Sequence, residues 1–154
     1  MKFIAFSDTH DSIAAIDDLI SEIKNEKVDF FVHAGDVISP FALKRFSEIE
    51  KLYIAFGNND GDRNKLTEIA LGMGWVAGEV VFAEDIAVYH GTNPDLLKIL
   101  EKKCNIVVTG HTHEARVVRD GSTLVINPGE SCGYLTGKRS YAIYEDGEVN
   151  IMEF

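Results

Sequence analysis

The sequence is poor in cysteine and has no long apolar run. Its two cysteines, Cys104 and Cys132, form neither a CxxC pair nor a disulfide framework, so we expect two reduced, partly buried thiols. No segment approaches the roughly 18 uninterrupted apolar residues of a membrane span. The apolar stretch at the N-terminus is too short for a signal peptide. We therefore expect a cytoplasmic protein with no membrane partner.

Basic residues are also scarce. Fifteen lysines and arginines stand against 25 acidic residues, which gives a formal net charge of -10. Binding to nucleic acid through its phosphates requires basic surface, so this balance argues against a nucleic-acid partner and against a nuclease. A small substrate containing phosphate stays compatible, because bound divalent cations would make a site locally positive.

Apolar periodicity alternates between strand and helix in the first half of the chain. Strands are predicted over 2–7, 28–34 and 51–56, with helices from residue 13, over 40–50 and over 64–73. The later half predicts one helix over 94–103 and strands over 79–83, 86–89, 106–109, 115–118, 123–126, 141–144 and 148–152. We expect a single α/β domain over 1–154, with two packed β-sheets flanked by helices in an αββα sandwich.

Potential metal ligands follow five of these strands at the point where each ends. They are Asp8 with His10, Asp36, Asn58, His90, and His111 with His113. Singly, each has an ordinary explanation as a helix cap, a polar turn or a structural histidine. Together they place carboxylates, imidazoles and an amide where strand ends can converge, which favours a two-metal site.

Two local expectations accompany this cluster. Asp8 and His10 are two residues apart, a spacing that places both side chains on one face of an extended strand. His33 lies within the second predicted strand, and we expect it to have a structural or supporting role instead of binding metal.

The order of the motifs resembles the calcineurin-like metallophosphoesterase superfamily, and most of all its small archaeal and bacterial phosphodiesterases of the YfcE type. The family pattern D-x-H, G-D, G-N, H, G-H-x-H is matched by SDTH, GD, GNND, HG and GHTH in that order. An Asn-Pro-Gly segment at 127–129 is also similar to the family. The match covers nearly the whole chain.

The resemblance implies a binuclear, metal-dependent phosphodiesterase that hydrolyses small phosphodiesters by in-line attack of a metal-bridging hydroxide. The implied cofactors are two divalent ions, with Mn²⁺, Ni²⁺, Fe²⁺ and Zn²⁺ all compatible. Asp36 would bridge the two ions, and Asn58 would also stabilise charge on the phosphoryl oxygens. The first ion is assigned to Asp8, His10, Asp36 and His113, and the second to Asp36, Asn58, His90 and His111.

One position departs from many relatives. Where they carry a histidine that is taken to protonate the leaving group, this chain has Asn59, which cannot act as a general acid. Asp60 is adjacent, but an aspartate with an ordinary pKa is ionised at neutral pH. The sequence therefore favours esters with good leaving groups.

The resemblance also allows a function of another class. The superfamily includes a retromer subunit that acts as a protein-interaction scaffold and has lost key ligands, whereas every matched position here keeps a side chain able to bind metal. Cyclic diesters, linear diesters and phosphomonoesters all stay open as substrates. Small family members often self-associate, so a homo-oligomer is compatible with the resemblance.

Overall fold

Two β-sheets form the centre of the structure, a computed structural model that describes all 154 residues. One sheet has six strands in the order β11-β10-β1-β2-β3-β4 and the other has five in the order β5-β6-β7-β9-β8. The strands are β1 (Lys2–Phe6), β2 (Phe30–His33), β3 (Leu52–Ala55), β4 (Val76–Gly78), β5 (Val80–Ala83), β6 (Ile86–Tyr89), β7 (Ile106–Val108), β8 (Ala115–Asp120), β9 (Thr123–Pro128), β10 (Ser140–Glu145) and β11 (Glu148–Glu153).

Four α-helices cover the outer faces of the sheets. They are α1 (Ile13–Ile23), α2 (Pro40–Leu43), α3 (Arg63–Gly72) and α4 (Pro94–Lys103). None of them has both the length and the apolar character needed to span a bilayer. The mixed α/β class and the predicted pair of sheets flanked by helices are confirmed.

Alternation along each strand divides the core into layers. On β1, Phe3 and Ala5 face the second sheet, whereas Ile4 and Phe6 face the helices, because successive side chains of a strand point to opposite faces. A smaller apolar cluster, which includes Tyr89 and Leu100, packs α4 against the outer face of the five-stranded sheet. Each sheet thus packs one face against the other sheet and part of its outer face against helices.

The parallel strands set the position of the functional residues. β1, β2 and β3 pair in parallel, and so do β6, β7 and β9. The carboxyl ends of parallel strands lie along one edge of a sheet, where open α/β proteins bind their ligands. The polar loops that follow β1, β2, β3, β6 and β7 therefore meet at one end of the molecule.

One local prediction was wrong, and one short strand was missed. The helix expected over 40–50 is one turn of α-helix, Pro40–Leu43, followed by a 3₁₀-helix at Lys44–Glu48, whose Phe46 is buried in the core and stacks on Phe6. The short edge strand β4 was not predicted at all. Its three residues, Val76–Gly78, include alanine and glycine, which give little strand signal, and it forms by parallel pairing with β3.

Candidate metal centre

Most of the predicted ligands lie in left-handed backbone just beyond the strands. The φ angles are 53° at Asp8, 43° at His10, 60° at Asp36, 69° at His111 and 64° at His113. Residues other than glycine seldom adopt positive φ, and such residues concentrate at functional sites. β1 ends at Phe6, so Asp8 and His10 converge through a tight turn. The strand alternation expected for this pair is not what brings them together.

Two buried carboxylates lie at the centre of the cluster. Asp36 Oδ2 lies 3.4 Å from His10 Nε2 and 3.4 Å from His90 Nε2. Asp8 Oδ1 lies 3.4 Å from His113 Nε2 and 3.6 Å from His10 Nε2. Ligand atoms that share one ion at about 2.1 Å are on the order of 3 Å apart, so these spacings suit two neighbouring metal positions. Asp36 lies between a histidine of each predicted set, as a bridging ligand would.

Three atoms of this cluster have no hydrogen-bond partner although they are buried: Asp8 Oδ1, His10 Nε2 and His90 Nε2. A buried polar atom without a partner costs free energy, and the great majority in native proteins are paired. All three are oxygen or nitrogen donors of the kind that divalent transition metals accept. The residues present therefore fit a metal centre, since cations would satisfy each of these atoms.

The backbone fixes which nitrogen His90 presents to the site. Its Nδ1 lies 2.7 Å from the carbonyl oxygen of Ala34, so the ring donates its Nδ1 proton there and leaves the Nε2 lone pair free. A hydrogen bond of this kind at the remote nitrogen sets the tautomer and the ring orientation of metal-binding histidines. His90 thus has the tautomer that a ligand requires.

Glu130, which the sequence motifs did not single out, sets the ring orientation of His113 in the same way. Glu130 is fully buried, and its Oε2 lies 2.7 Å from His113 Nδ1. The same carboxylate accepts backbone N–H groups from Tyr134, Leu135 and Thr136. The only signal in the sequence was its place directly after the Asn-Pro-Gly segment.

Glu130 could be mistaken for a ligand, because its carboxylate, His113 and Cys132 come within 4.8 Å of one another. Burial raises the pKa of Cys132 to about 12, so this residue is a thiol, and it donates to Glu130 at 3.2 Å. Burial would raise the pKa of Glu130, but hydrogen bonds from His113 and Thr136 outweigh it and hold the pKa at about 2. Because these donors occupy its oxygens, Glu130 is better placed to orient the predicted ligand His113 than to bind metal itself.

The loop after β3 is fixed by Asp60, whose carboxylate accepts three backbone N–H groups. They come from Gly57 at 2.7 Å, Asp36 at 3.1 Å and Ile38 at 2.7 Å. Asp60 therefore links the turn that carries Asp36 to the turn that carries Asn58. The sequence pattern around Asp60 does not indicate this structural role, which depends on contacts with residues up to 24 positions away.

Asn59 faces the site, but its side chain is already engaged. Its Nδ2 donates to Asp36 Oδ2 at 2.7 Å and its backbone N–H donates to Asp36 Oδ1 at 2.9 Å. Burial would raise the pKa of Asp36, but the neighbouring His90 ring at 3.4 Å and the hydrogen bonds from Asn59 outweigh it, and the pKa lies well below its usual range. Asp36 therefore stays a carboxylate at any ordinary pH.

The remaining predicted residues are arranged more openly. His111 is exposed; its ring centroid lies 5.1 Å from that of His90, and its backbone N–H donates to Asp8 Oδ2 at 3.1 Å. Asn58 is also exposed, and its side chain makes no hydrogen bond. His33 is fully buried and belongs to neither ligand group; its Nδ1 accepts the N–H of Gly35 and its Nε2 contacts Thr9 Oγ1.

Comparison with known proteins agrees with this geometry. A family model described as the calcineurin-like phosphoesterase superfamily domain matches residues 1–147. The chain belongs to this superfamily. Phosphodiesterase MJ0936 of Methanocaldococcus jannaschii is 36% identical over 149 residues, which cover 89% of this chain and 88% of the relative. The family and this relative confirm the prediction of a hydrolase.

Solved structures extend the comparison. A structure described as a novel archaeal phosphodiesterase has a TM-score of 0.94 and 32% identity, covering 100% of both chains. The phosphoesterase Yfce of E. coli has a TM-score of 0.71 and 19% identity over 95% of this chain and 89% of its own. A Vps29 protein of Entamoeba histolytica complexed with Zn²⁺ has a TM-score of 0.71 and 16% identity over 100% of this chain and 98% of its own. The last two likenesses concern the fold alone.

Proposed function

We propose that the chain is a phosphodiesterase with a binuclear centre of divalent metal ions, and that it hydrolyses small phosphodiesters. The observation that carries the proposal is the set of three buried ligand atoms without partners, grouped around Asp8 and Asp36. Membership of the calcineurin-like superfamily and the similarity to phosphodiesterase MJ0936 support the same reaction. We propose that residues 1–154 act as one catalytic domain.

The proposed ligand sets are those implied by the sequence resemblance. Asp36 is shared between two sets, one with Asp8, His10 and His113 and the other with Asn58, His90 and His111. When bound, the ions would act as Lewis acids, lowering the pKa of water and neutralising charge on the phosphoryl oxygens. Mn²⁺, Ni²⁺, Fe²⁺ and Zn²⁺ all suit mixed oxygen and nitrogen ligands.

The protein's own side chains orient the substrate and hold the site in one state. Asn58 has an exposed amide without an internal partner, so it is free to donate to a phosphoryl oxygen as charge accumulates there. Asp36 keeps its charge because Asn59 donates two hydrogen bonds to it and the His90 ring lies beside it. Glu130 and the Ala34 carbonyl hold the rings of His113 and His90, so neither needs to reorganise during the reaction.

No side chain in the cluster is placed to protonate a leaving oxygen. Asn59 can only donate a neutral hydrogen bond and already donates to Asp36, and Asp60 accepts three backbone N–H groups. Leaving groups of low pKa depart without protonation. We therefore propose that aryl and other activated diesters are cleaved more readily than simple alkyl diesters.

The test is hydrolysis of bis(p-nitrophenyl) phosphate by chelated protein to which Mn²⁺ or Ni²⁺ is returned. We expect turnover only with metal, and loss of turnover in Asp36→Ala and in His111→Ala. Asp85→Ala, in the exposed turn between β5 and β6, is the matched control and should keep full turnover. Turnover without metal, or undiminished turnover in Asp36→Ala, would refute the proposal.

The alternative is an interaction scaffold of the retromer-subunit kind. Vps29 proteins share the fold, and one of them is complexed with zinc, so metal content alone does not separate a scaffold from an enzyme. Turnover does. Reconstituted protein that binds two ions per chain but hydrolyses no phosphomonoester, linear diester or cyclic diester would favour the scaffold.

A further inference from the structure

A cleft of about 400 Å³ runs outward from the candidate metal centre between α4 and the β8–β9 hairpin. Its inner end is formed by Gly91 and His111, which belong to the loops carrying the proposed ligands of the second ion. At its outer end, Thr123 Oγ1 donates to the backbone carbonyls of Glu101 and Cys104, fastening the end of α4 to β9. The volume lies within the range of sites that bind small molecules.

The register of the hairpin explains what lines the cleft. Arg116 pairs with Asn127, and Val118 pairs with Val125, so all four side chains project from the same face of the hairpin. Asn127 Nδ2 donates to the carbonyl of Gly110 and to Thr112 Oγ1, which fixes the inner end of this face against the loop of His111. The opposite wall is one face of α4, which contributes residues four positions apart, Leu97 and Glu101.

The guanidinium of Arg116 is distinctive within the protein. It is the only one of the five arginines whose side chain makes neither a hydrogen bond nor an ion pair with the chain. The other four bind Asp17, Glu79, Gly147 and Asp18. Arg116 therefore offers up to five unused donors beside an apolar wall.

The chemistry of the lining selects among organic groups. Leu97, Val118 and Val125 supply flat apolar surface, Arg116 supplies donors, and Glu101 and Asp120 supply carboxylate acceptors. A second phosphate would meet Arg116 and Arg119 but also both carboxylates, so the lining has no excess of positive charge to favour it. A simple alkyl group would leave the polar lining unused. A neutral heterocycle with carbonyl oxygens and N–H groups matches all three kinds of lining.

We propose that this cleft binds a nucleobase attached to the scissile phosphate, so that the substrates are phosphodiesters of a nucleoside. This inference rests on the proposed phosphodiesterase function and names its substrate class. The phosphate would lie at the metal centre, and the nucleoside would extend past His111 into the space between α4 and the hairpin. Arg116 and Val118 are then specificity-determining residues.

The test compares two diesters that share p-nitrophenolate as leaving group, the p-nitrophenyl ester of thymidine 5′-phosphate and ethyl p-nitrophenyl phosphate. With Mn²⁺ present, we expect the nucleoside ester to have a KM on the order of tenfold lower, a difference that Val118→Trp should abolish and Arg116→Ala should reduce. Val117→Trp is the matched control, because Val117 is 41% exposed on the opposite face of β8. It should keep the wild-type KM ratio.

The outcomes separate the inference from the function on which it rests. Hydrolysis of both esters with equal KM would overturn the nucleobase site and leave the phosphodiesterase standing. Hydrolysis of neither would refute the phosphodiesterase. The cleft can then still be judged by NMR titration of thymidine 5′-monophosphate into chelated protein. Saturable shifts of the Val125 amide that disappear in Val118→Trp would support the cleft, and their absence from the wild type would overturn it.

Discussion

His113 Nδ1 lies 2.7 Å from Glu130 Oε2, and this contact connects a proposed metal ligand to a fully buried carboxylate. Glu130 also accepts the backbone N–H groups of Tyr134, Leu135 and Thr136, so the carboxylate is itself held rigidly. A carboxylate that accepts the remote N–H of a metal-binding histidine orients the ring and raises its basicity. Glu130 is thus a positioning residue for the proposed metal centre.

Glu130→Gln should weaken metal binding roughly 10- to 100-fold, because a neutral amide is a poorer acceptor for the His113 ring and cannot accept the loop amides with both of its polar atoms. Chelator competition with Mn²⁺ measures the affinity without depending on turnover. Glu130→Asp keeps the charge and should recover part of the loss. Equal affinities in the wild type and Glu130→Gln would remove the positioning role.

Asn59→His should raise kcat on an alkyl diester far more than on an aryl diester. An imidazole with an ordinary pKa near 6.5 can protonate a leaving alkoxide, and general-acid catalysis of this kind contributes about 10²- to 10⁴-fold. Aryl leaving groups need little help, so their kcat should change little. Steady-state kinetics on methyl and p-nitrophenyl diesters measure the contrast.

Asn59→Ala is the control for this substitution, since it removes the hydrogen bond to Asp36 Oδ2 without supplying an acid. An equal gain on both diesters in Asn59→His, or the same gain in Asn59→Ala, would mean that loss of the Asp36 contact and not proton donation is responsible.

His33 makes the stability of the metal-free protein depend on pH. Burial lowers the pKa of His33 from 6.5 to about 4 in the folded state. The unfolded chain therefore binds the extra proton first as the pH falls. The stability that neutral His33 contributes to the free energy of unfolding is fully present above pH 6.5 and is lost as the pH falls from 6.5 toward 4.

Between pH 7 and pH 5 this linkage amounts to about 2 kcal/mol in the free energy of unfolding. His33→Gln does not titrate in this range, so the wild type should lose about 2 kcal/mol more than the variant across the interval. Urea unfolding of chelated protein at both pH values measures the difference. The same loss in both proteins would show that His33 does not carry the dependence.

The sequence predicted which polar residues lie close together better than it predicted how the chain brings them together. The order of SDTH, GD, GNND, HG and GHTH was sufficient to choose seven residues, five of which fall in two close groups that share Asp8: Asp8 with His10 and His113, and Asp8 with Asp36 and His90. The left-handed turns that orient these side chains could not be predicted, because residues other than glycine seldom adopt positive φ and nothing in the sequence marks the positions where they do. Glu130 was missed for a related reason: its importance comes from burial and from contacts with residues up to 17 positions away.

The outline of the fold was predictable wherever local signals agreed. The turn Asp146–Gly147 joins β10 to β11 with φ of 47° and 96°, as expected for an Asp-Gly hairpin. The strand β4 and the 3₁₀ segment Lys44–Glu48 depend on pairing with β3 and on packing of Phe46, which are tertiary effects. The conformation of such short elements depends on the residues that they pair with or pack against more than on their own sequence.

Gly57 should tolerate no side chain. A Cβ built at Gly57 would clash with Asp36 Oδ1 and would come within 2.6 Å of the backbone nitrogen of Asp36. The backbone atom cannot move aside cheaply, because it donates to Asp60 Oδ2 at 3.1 Å. Gly57→Ala should therefore displace the proposed bridging carboxylate and reduce both Mn²⁺ affinity and turnover by at least about tenfold.

Gly61→Ala provides the matched control in the same loop, since a Cβ built there meets nothing within 4 Å. It should keep wild-type metal affinity and turnover. Thermal unfolding of both metal-free variants separates a local displacement of Asp36 from general loss of structure. If Gly57→Ala binds Mn²⁺ as tightly as Gly61→Ala, then the position of Asp36 against this loop does not determine metal binding, and its role as the shared ligand of two ions would be wrong.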